Sequence, residues 1–261
     1  MKDDFQQIYL KEIGVTTPIS LFVPSSTGTS LEHKAVDEVM HAEVYAKPAQ
    51  EAVVAVAEVA VVVQEPKVVP NVSKVEDLNA LQAQAEACTS CDLAKSRSKV
   101  VFGHGHQHAG LVFIGDAPSR EDDIAGQPMT GSAGKLFERM LTSAGLVKDD
   151  VYVMNAVKCR PLHGRTPKPE EFAVCEQWLI HQLDILQPKL ICMLGRVVAH
   201  TLLKNEASLA DLRAGQFDFR GIPVLVIDHP SYLLRAQQHK RRAWADLLRL
   251  KSHYQSLKNG N

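Results

Sequence analysis

The chain has 261 residues, a formal net charge of −1 and 45% hydrophobic residues, which allows one large domain or one domain with an extension. Its five cysteines and acidic start favour a reducing compartment, and its apolar run, residues 52–63, is too short for a membrane span and contains Glu58. We therefore expect a soluble, cytoplasmic protein, and we exclude disulfide-stabilised secreted proteins and membrane-spanning proteins.

Residues 1–75 are expected to form an extension of the folded domain. Residues 2–14 have apolar side chains at helical spacing, which predicts a short helix that either frays or docks on a protein partner. Residues 18–73 are rich in Ala, Val, Glu and Pro without a consistent period, which predicts a low-complexity, mostly disordered linker. The folded domain is then expected over residues 76–258.

A helix predicted to begin near Val75 leads to Cys88 and Cys91, which are separated by two residues. The glycine-rich stretch 103–110 carries three alternating histidines. We expect a plain loop there rather than a metal site.

The rest of the chain alternates apolar runs with helical patterns. Strands are predicted at residues 111–114, 151–155, 190–194 and 222–227. Helices are predicted from near residue 132 and at residues 169–186, 196–204 and 238–257. This alternation indicates a three-layer α/β/α fold with a central, mainly parallel four-stranded sheet and the largely disordered N-terminal extension.

Each predicted strand ends in polar or conformationally special residues. The sequence GDAP follows the first strand, Asn155 ends the second, LGR follows the third and Asp228-His229-Pro230 follows the fourth. Each could be an ordinary cap or turn residue. Because the carboxyl ends of parallel strands meet at one edge of a sheet, their ordered placement predicts a shared site there.

Four of the cysteines could form a metal site. Cys88 and Cys91 are a close pair, whereas Cys159 and Cys175 are 16 positions apart across a proline-rich loop. Four thiolates suit zinc or a [4Fe–4S] cluster, and isolated structural thiols are the alternative. Cys192 lies within a predicted strand and is expected to be a buried core thiol.

Basic residues concentrate at the C-terminal end. After His229, Asp246 is the only acidic residue among several lysines and arginines. This charge suits a polyanionic partner, although a solvated helix face gives the same pattern.

Taken together, the motifs resemble the iron–sulfur, family 4-type uracil-DNA glycosylases. The resemblance covers residues 80–250 and rests on GDAPSREDDIAGQPMTGSAG (115–134), NAVKCRP (155–161) and HPSYLLR (229–235) in this order. It implies a monomeric enzyme that hydrolyses the N-glycosidic bond of deoxyuridine in single- or double-stranded DNA, which releases uracil and leaves an abasic site. Because the target nucleotide must be flipped out of the duplex, it also implies a base pocket.

The resemblance implies a cofactor and catalytic groups. The [4Fe–4S] cluster would be held by Cys88, Cys91, Cys159 and Cys175. His229 would donate a hydrogen bond to a uracil carbonyl as negative charge develops on the leaving base. Asp116 or Asp122 would orient the water and stabilise the sugar cation.

The resemblance also implies substrate contacts. Asn155 would read the uracil edge with one amide donor and one acceptor. Met129 would lie against the base, and the backbone near Ala117 and Gly131 would shape the pocket.

The DNA contacts that the resemblance implies follow His229. Ser231 and the basic residues, with Arg235, would hold phosphates. Leu233 or Leu234 would insert into the gap left by the flipped base.

Several positions depart from the family pattern. Asp116, Ser119 and Asp122 stand where the family usually has Glu, Gly and Glu, and Met129 replaces a stacking aromatic residue. The changes at Asp116, Ser119 and Met129 favour an alternative, a non-catalytic or weakly active DNA-binding relative that is tethered to a replication or repair partner by its N-terminal extension, whereas the retained Asn155 and His229 favour the enzyme. An electron carrier or redox sensor is a third reading. Finally, Asp228 beside His229 predicts a raised histidine pKa.

Overall fold

The computed structural model describes residues 77–147 and 150–260, and the predictions for residues 1–75 lie outside this part of the chain. The strands are β1 (His104–Gly105), β2 (Leu111–Gly115), β3 (Val151–Asn155), β4 (Leu190–Leu194), β5 (Phe217–Phe219) and β6 (Ile222–Ile227). The α-helices are α1 (Leu78–Glu86), α2 (Arg120–Ala125), α3 (Gly131–Ala144), α4 (Pro169–Leu186), α5 (Arg196–Leu203), α6 (Leu209–Ala214), α7 (Pro230–Arg235) and α8 (Lys240–Asn259).

The strands form one sheet in the order β1-β3-β2-β4-β6-β5. The four inner strands are parallel, as predicted, and β1 and β5 add antiparallel edges. The predicted number of four strands is wrong because the sheet has six. Edge strands of two and three residues are too short to show a period-two pattern, and β1 lies in the histidine stretch that we expected to be a loop.

Both faces of the inner strands are covered by helices, which explains their continuous apolar runs. Val112 and Ile114 of β2 belong to the buried cluster that also contains residues of α1, α4 and α5. Phe113 faces the opposite side, where its ring meets Phe137 of α3 edge to face at 5.0 Å. The three-layer α/β/α architecture is therefore confirmed.

The helix ends follow local capping chemistry. α1 begins at Leu78 rather than near Val75 because the Asp77 side chain accepts the Ala80 N–H. α4 has the predicted bounds, with Pro169 in its first turn. The sequence reading missed α2, α6 and α7, whose six residues each are too few to show a helical period. No helix of the described residues has the length and apolar character needed to cross a membrane.

The strand order creates one crevice at the carboxyl edge of the sheet. β2 and β4 are neighbours, yet the chain continues from β2 towards β3 on one side and from β4 towards β6 on the other. Ligands of open α/β sheets bind where the connections diverge in this way. A ligand-binding site is therefore expected at this crevice.

Candidate active site

A cleft of about 490 Å³ lies at this crevice. Asp116 follows β2, Gly195 follows β4, and His229 is two residues beyond β6. The cleft is lined by Asp116, Leu194, Gly195, Arg196, Val197, Leu209, His229, Ser231, Tyr232, Arg235 and Arg242. The structure thus brings the predicted strand-end residues of three strands together.

Asn155 and His229 meet above Gly115. Gly115 and Asn155 are direct partners in the parallel register of β2 and β3. A Cβ atom at Gly115 would overlap Oδ1 of Asn155 and would lie 3.7 Å from Nε2 of His229. The missing side chain of Gly115 is therefore what lets the amide and the imidazole share one space.

The Asn155 side chain is buried with a free donor. Asn155 is only 3% exposed, and its Nδ2 has no hydrogen-bond partner among the described residues. Buried amide donors are rarely left unpaired because desolvation without a partner costs about 1–3 kcal/mol. A ligand acceptor next to this buried donor would remove that cost.

The tautomer of His229 is fixed by its own loop. Its Nδ1 accepts the backbone N–H of Ser231 at 3.1 Å and lies 2.7 Å from the Ser231 hydroxyl. A backbone N–H can only donate, so the proton of the neutral ring is on Nε2, which faces Gly115 and Asn155. Burial lowers the pKa of His229 below 6.5, while the carboxylates of Asp116 and Asp122 act in the opposite direction.

Asp228 does not have the predicted effect on His229. Its carboxylate is fully buried and accepts two hydrogen bonds from the guanidinium of Arg242, each of 2.8 Å. The Nε of Arg213 lies 4.0 Å away. The predicted raised pKa of His229 is therefore wrong: two arginines hold this charge, and burial of the ring dominates.

The two predicted catalytic aspartates have different surroundings. Asp116 is half-buried and lines the cleft. Asp122 is buried in a capping box with Ser119, and its other oxygen accepts the backbone N–H of Thr130 at 2.7 Å and the Thr130 hydroxyl at 2.6 Å. Asp116 is thus placed to meet a ligand, whereas Asp122 joins α2 to the loop before α3.

The loop held by Asp122 contains Met129 in a left-handed conformation. Its φ is 54°, which is costly for a residue with a side chain, and Gly131 has φ 64°. Met129 and Gly131 line a second groove of about 380 Å³, together with β1, rather than the cleft at His229. Ala117, the third predicted pocket residue, packs against the main apolar cluster next to Asp116.

The two leucines predicted to insert into DNA differ in exposure on helix α7. Leu233 is fully buried, whereas Leu234 is 38% exposed. Of the two leucines offered as alternatives for insertion into DNA, Leu233 is excluded because its side chain is part of the core, which leaves Leu234. Ser231 is half-buried and Arg235 is exposed, and both line the cleft.

The four predicted metal ligands lie on separate elements of the chain. Cys88 and Cys91 follow α1, Cys159 follows β3, and Cys175 lies on α4. Burial, together with the charges of Cys159 and Cys91, raises the pKa of Cys175 to about 12. Cys88 and Cys91 pack against the buried cluster that contains Cys159 and Cys175. The described residues contain no group of three or more His, Cys, Asp or Glu arranged to hold a metal ion.

Two of these sulfurs already accept hydrogen bonds. Arg97 donates to Sγ of Cys159 at 3.1 Å, and the backbone N–H of Lys158 donates to Sγ of Cys175 at 3.3 Å. Cys192 is fully buried in β4, as predicted for a core thiol.

Comparison with known proteins decides the family. The family model of the uracil DNA glycosylase superfamily matches residues 102–248. The chain belongs to this superfamily. It is 36% identical over 169 residues to the type-4 uracil-DNA glycosylase of Thermotoga maritima, which covers 64% of this chain and 88% of that protein. It is 33% identical over 183 residues to the type-4 enzyme of Archaeoglobus fulgidus, which covers 67% of this chain and 92% of that protein.

The sequence did not indicate two residues that support the site. Lys158 is only 2% exposed, and its Nζ donates to the backbone carbonyl oxygen of Asn155 at 2.7 Å. Burial lowers the pKa of Lys158 to about 7, while charges on Cys175 and Cys159 act in the opposite direction. Arg242 is the second, and its partner Asp228 is 14 residues away. The only signal for Lys158 was its position beside Cys159.

Proposed function

We propose that the protein hydrolyses the N-glycosidic bond of deoxyuridine in DNA, releasing uracil and leaving an abasic site. The observation that carries this proposal is the meeting of Asn155 and His229 above Gly115, with the Nδ2 donor of Asn155 unpaired. The type-4 uracil-DNA glycosylases with which the chain aligns over most of their length support the same activity.

Asn155 would select the base. Its Nδ2 donor matches O4 of uracil and its Oδ1 acceptor matches N3–H, whereas cytosine offers the reverse pattern at these positions. The buried donor is satisfied only when O4 is present. A base that lacks this acceptor leaves the donor unpaired and is therefore disfavoured.

His229 would stabilise the leaving group. Breaking the bond leaves negative charge on the uracil and positive charge on the sugar. The neutral ring donates from Nε2 to O2 of the base, in a fixed orientation because Ser231 holds Nδ1. Fixed dipoles of this kind need no reorganisation during the reaction.

Asp116 would face the sugar. It lines the cleft with His229, where a carboxylate can orient a water molecule and stabilise the sugar cation. Asp122 is better suited to positioning, because both of its oxygens already accept hydrogen bonds that fix the loop of Met129.

DNA would be held beside the cleft. Arg196 and Arg235 line it and can contact phosphates, and the exposed Leu234 is available to fill the space of a flipped nucleotide. Flipping costs a few kcal/mol in a duplex, so single-stranded substrate should react at least as fast.

The four cysteines would hold a [4Fe–4S] cluster. Four thiols suit this group in number and type, and Cys88 and Cys91 pack against the buried cluster that contains Cys159 and Cys175. Two of the sulfurs accept N–H donors. Four irons need ligands that lie farther apart than those of a single ion. When bound, the cluster would tie α1 and α4 to the loop after β3, and no step of the hydrolysis requires its electrons.

The activity is tested with labelled oligonucleotides that carry one uracil, one thymine or one cytosine at the same position. We expect the anaerobically purified protein to release free base and to leave an alkali-labile site only with uracil. Binding of all three oligonucleotides without any release would instead favour the non-catalytic DNA-binding relative.

A further inference from the structure

Lys158 lies between the cysteines and the base-reading amide. It is in the loop that begins at Asn155 and continues into Cys159. This loop is anchored to the strand beside it, because the N–H groups of Ala156 and Val157 donate to the carbonyl oxygens of Gly115 and Asp116. The segment is therefore anchored to the active-site edge of the sheet.

Each end of Lys158 contacts a different site. Its backbone N–H donates to Sγ of Cys175 at 3.3 Å, and its Nζ donates to the backbone oxygen of Asn155 at 2.7 Å. The ammonium also lies 5.9 Å from the centre of the Phe102 ring. The side chain turns back over its own loop, although a lysine normally extends its charge into water.

The charge of Lys158 needs a compensating partner. A buried ammonium is costly unless negative charge lies near it. Thiolates of Cys159 and Cys175 are the groups whose charges favour the ammonium here. Through its two hydrogen bonds, the buried Lys158 thus joins the sulfur of Cys175 to the carbonyl oxygen of Asn155 within one residue.

We propose that Lys158 is a positioning residue that couples the cysteine site to uracil recognition. Its backbone N–H contacts the sulfur of Cys175, and its Nζ fixes the peptide from which the Asn155 amide projects. This inference rests on the proposed function, and it adds that recognition of the base depends on the state of the cysteine site.

The test compares Lys158→Met, which removes charge and donor, with Lys158→Gln, which removes the charge but keeps a donor. Lys189→Met is the matched control, because Lys189 is exposed and also donates to a backbone oxygen, that of Leu257. One measurement is the ratio of dissociation constants for an oligonucleotide with a hydrolysis-resistant 2′-fluoro deoxyuridine and for the same oligonucleotide with 2′-fluoro deoxycytidine, whose base edge presents the reverse donor and acceptor pattern to Asn155. The other is the reduction potential of the cluster, followed by absorbance in a redox titration.

We expect Lys158→Met to lose about tenfold or more in discrimination, because a hydrogen bond from a charged group is removed. Both Lys158 variants should shift the potential to more negative values, since a nearby positive charge favours the reduced cluster. Lys158→Gln should retain most of the discrimination, and Lys189→Met should change neither quantity.

Wild-type discrimination in Lys158→Met, or an unchanged potential in both Lys158 variants, would overturn the coupling. If Lys158→Met does not fold, both measurements on Lys158→Gln decide together: a more negative potential with retained discrimination supports the proposal, and an unchanged potential overturns it. A wild-type protein that binds both oligonucleotides equally would overturn the proposed function itself, and this result is distinct from a failure of the variants.

Discussion

At the scale of single residues, the space above Gly115 determines whether the site can form. A Cβ atom there would overlap Oδ1 of Asn155, so we expect Gly115→Ala to displace the amide and to lower kcat/KM for uracil release by about 100-fold or more. The fold should persist, because the overlap is with one side-chain oxygen. Single-turnover kinetics and thermal unfolding measure the two effects separately.

Gly221 provides the opposite case. No atom lies within 4 Å of a Cβ placed there, but its φ of 80° is unfavourable for alanine. Gly221→Ala should therefore lower the free energy of unfolding by about 1 kcal/mol and leave uracil release unchanged. If both variants lost activity to the same extent, the special role of Gly115 would be refuted.

The protonation of His229 predicts the pH dependence of the reaction. Burial lowers its pKa below 6.5, so the ring is neutral at pH 7, and we expect kcat/KM to fall only as the pH drops through that lowered value. Protonation of His229 also makes folding less favourable as the pH falls below 6.5, because the unfolded chain binds this proton at higher pH than the folded protein. A pH–rate profile on single-stranded substrate checks this expectation. Activity that increases on acidification below pH 6.5 would show that the imidazolium is the active form.

Single residues also show what the sequence could reveal. Asn155 and His229 were predicted because each stands at a strand end in a motif. The partner of Asp228 could not be predicted, because Arg242 reaches it from another element and its two 2.8 Å hydrogen bonds depend on packing. For the same reason the sign of the His229 pKa shift was wrong, since burial of the ring is a property of the fold.

At the scale of elements, α7 distinguishes a core leucine from a surface one. We expect Leu234→Ala to slow uracil release from duplex DNA several-fold and to have less effect on single-stranded DNA, because the gap of a flipped nucleotide exists only in the duplex. Leu248→Ala, at another exposed leucine on α8, is the control and should change neither rate. Equal slowing on both substrates would argue against insertion.

Leu233→Ala should act differently from Leu234→Ala. Its side chain is fully buried, so its loss should lower the free energy of unfolding by about 3 kcal/mol. Denaturant unfolding measures this loss. The sequence pattern could not separate these neighbours, because α7 has only six residues and shows no helical period in the sequence. Long elements with a regular pattern, such as α4 and the inner strands, were predicted closely.

At the scale of the whole molecule, the C-terminal helix α8 is connected to the active-site loop by buried charge. Arg242 of α8 pairs with Asp228, and Arg213 pairs with Asp246 of α8 at 2.7 Å. Removing one member of a buried pair leaves the other uncompensated, so Asp228→Asn should lower the free energy of unfolding by about 3 kcal/mol. Chemical denaturation followed by circular dichroism checks this value. Lys258→Met, which breaks the exposed pair with Asp150, should have no measurable effect, and equal effects of the two changes would contradict this view.

The most direct test of the proposed site is a single-turnover assay of abasic-site formation on an oligonucleotide with one uracil, comparing the wild type with Asn155→Ala and His229→Ala. We expect rapid uracil release by the wild type and a rate at least about 100-fold lower in each variant, because each substitution removes a separate contact to the base. DNA binding should be retained in both variants. Release by either variant at the wild-type rate would contradict the assignment of the site at Gly115, and no release by the wild type would contradict the proposed activity.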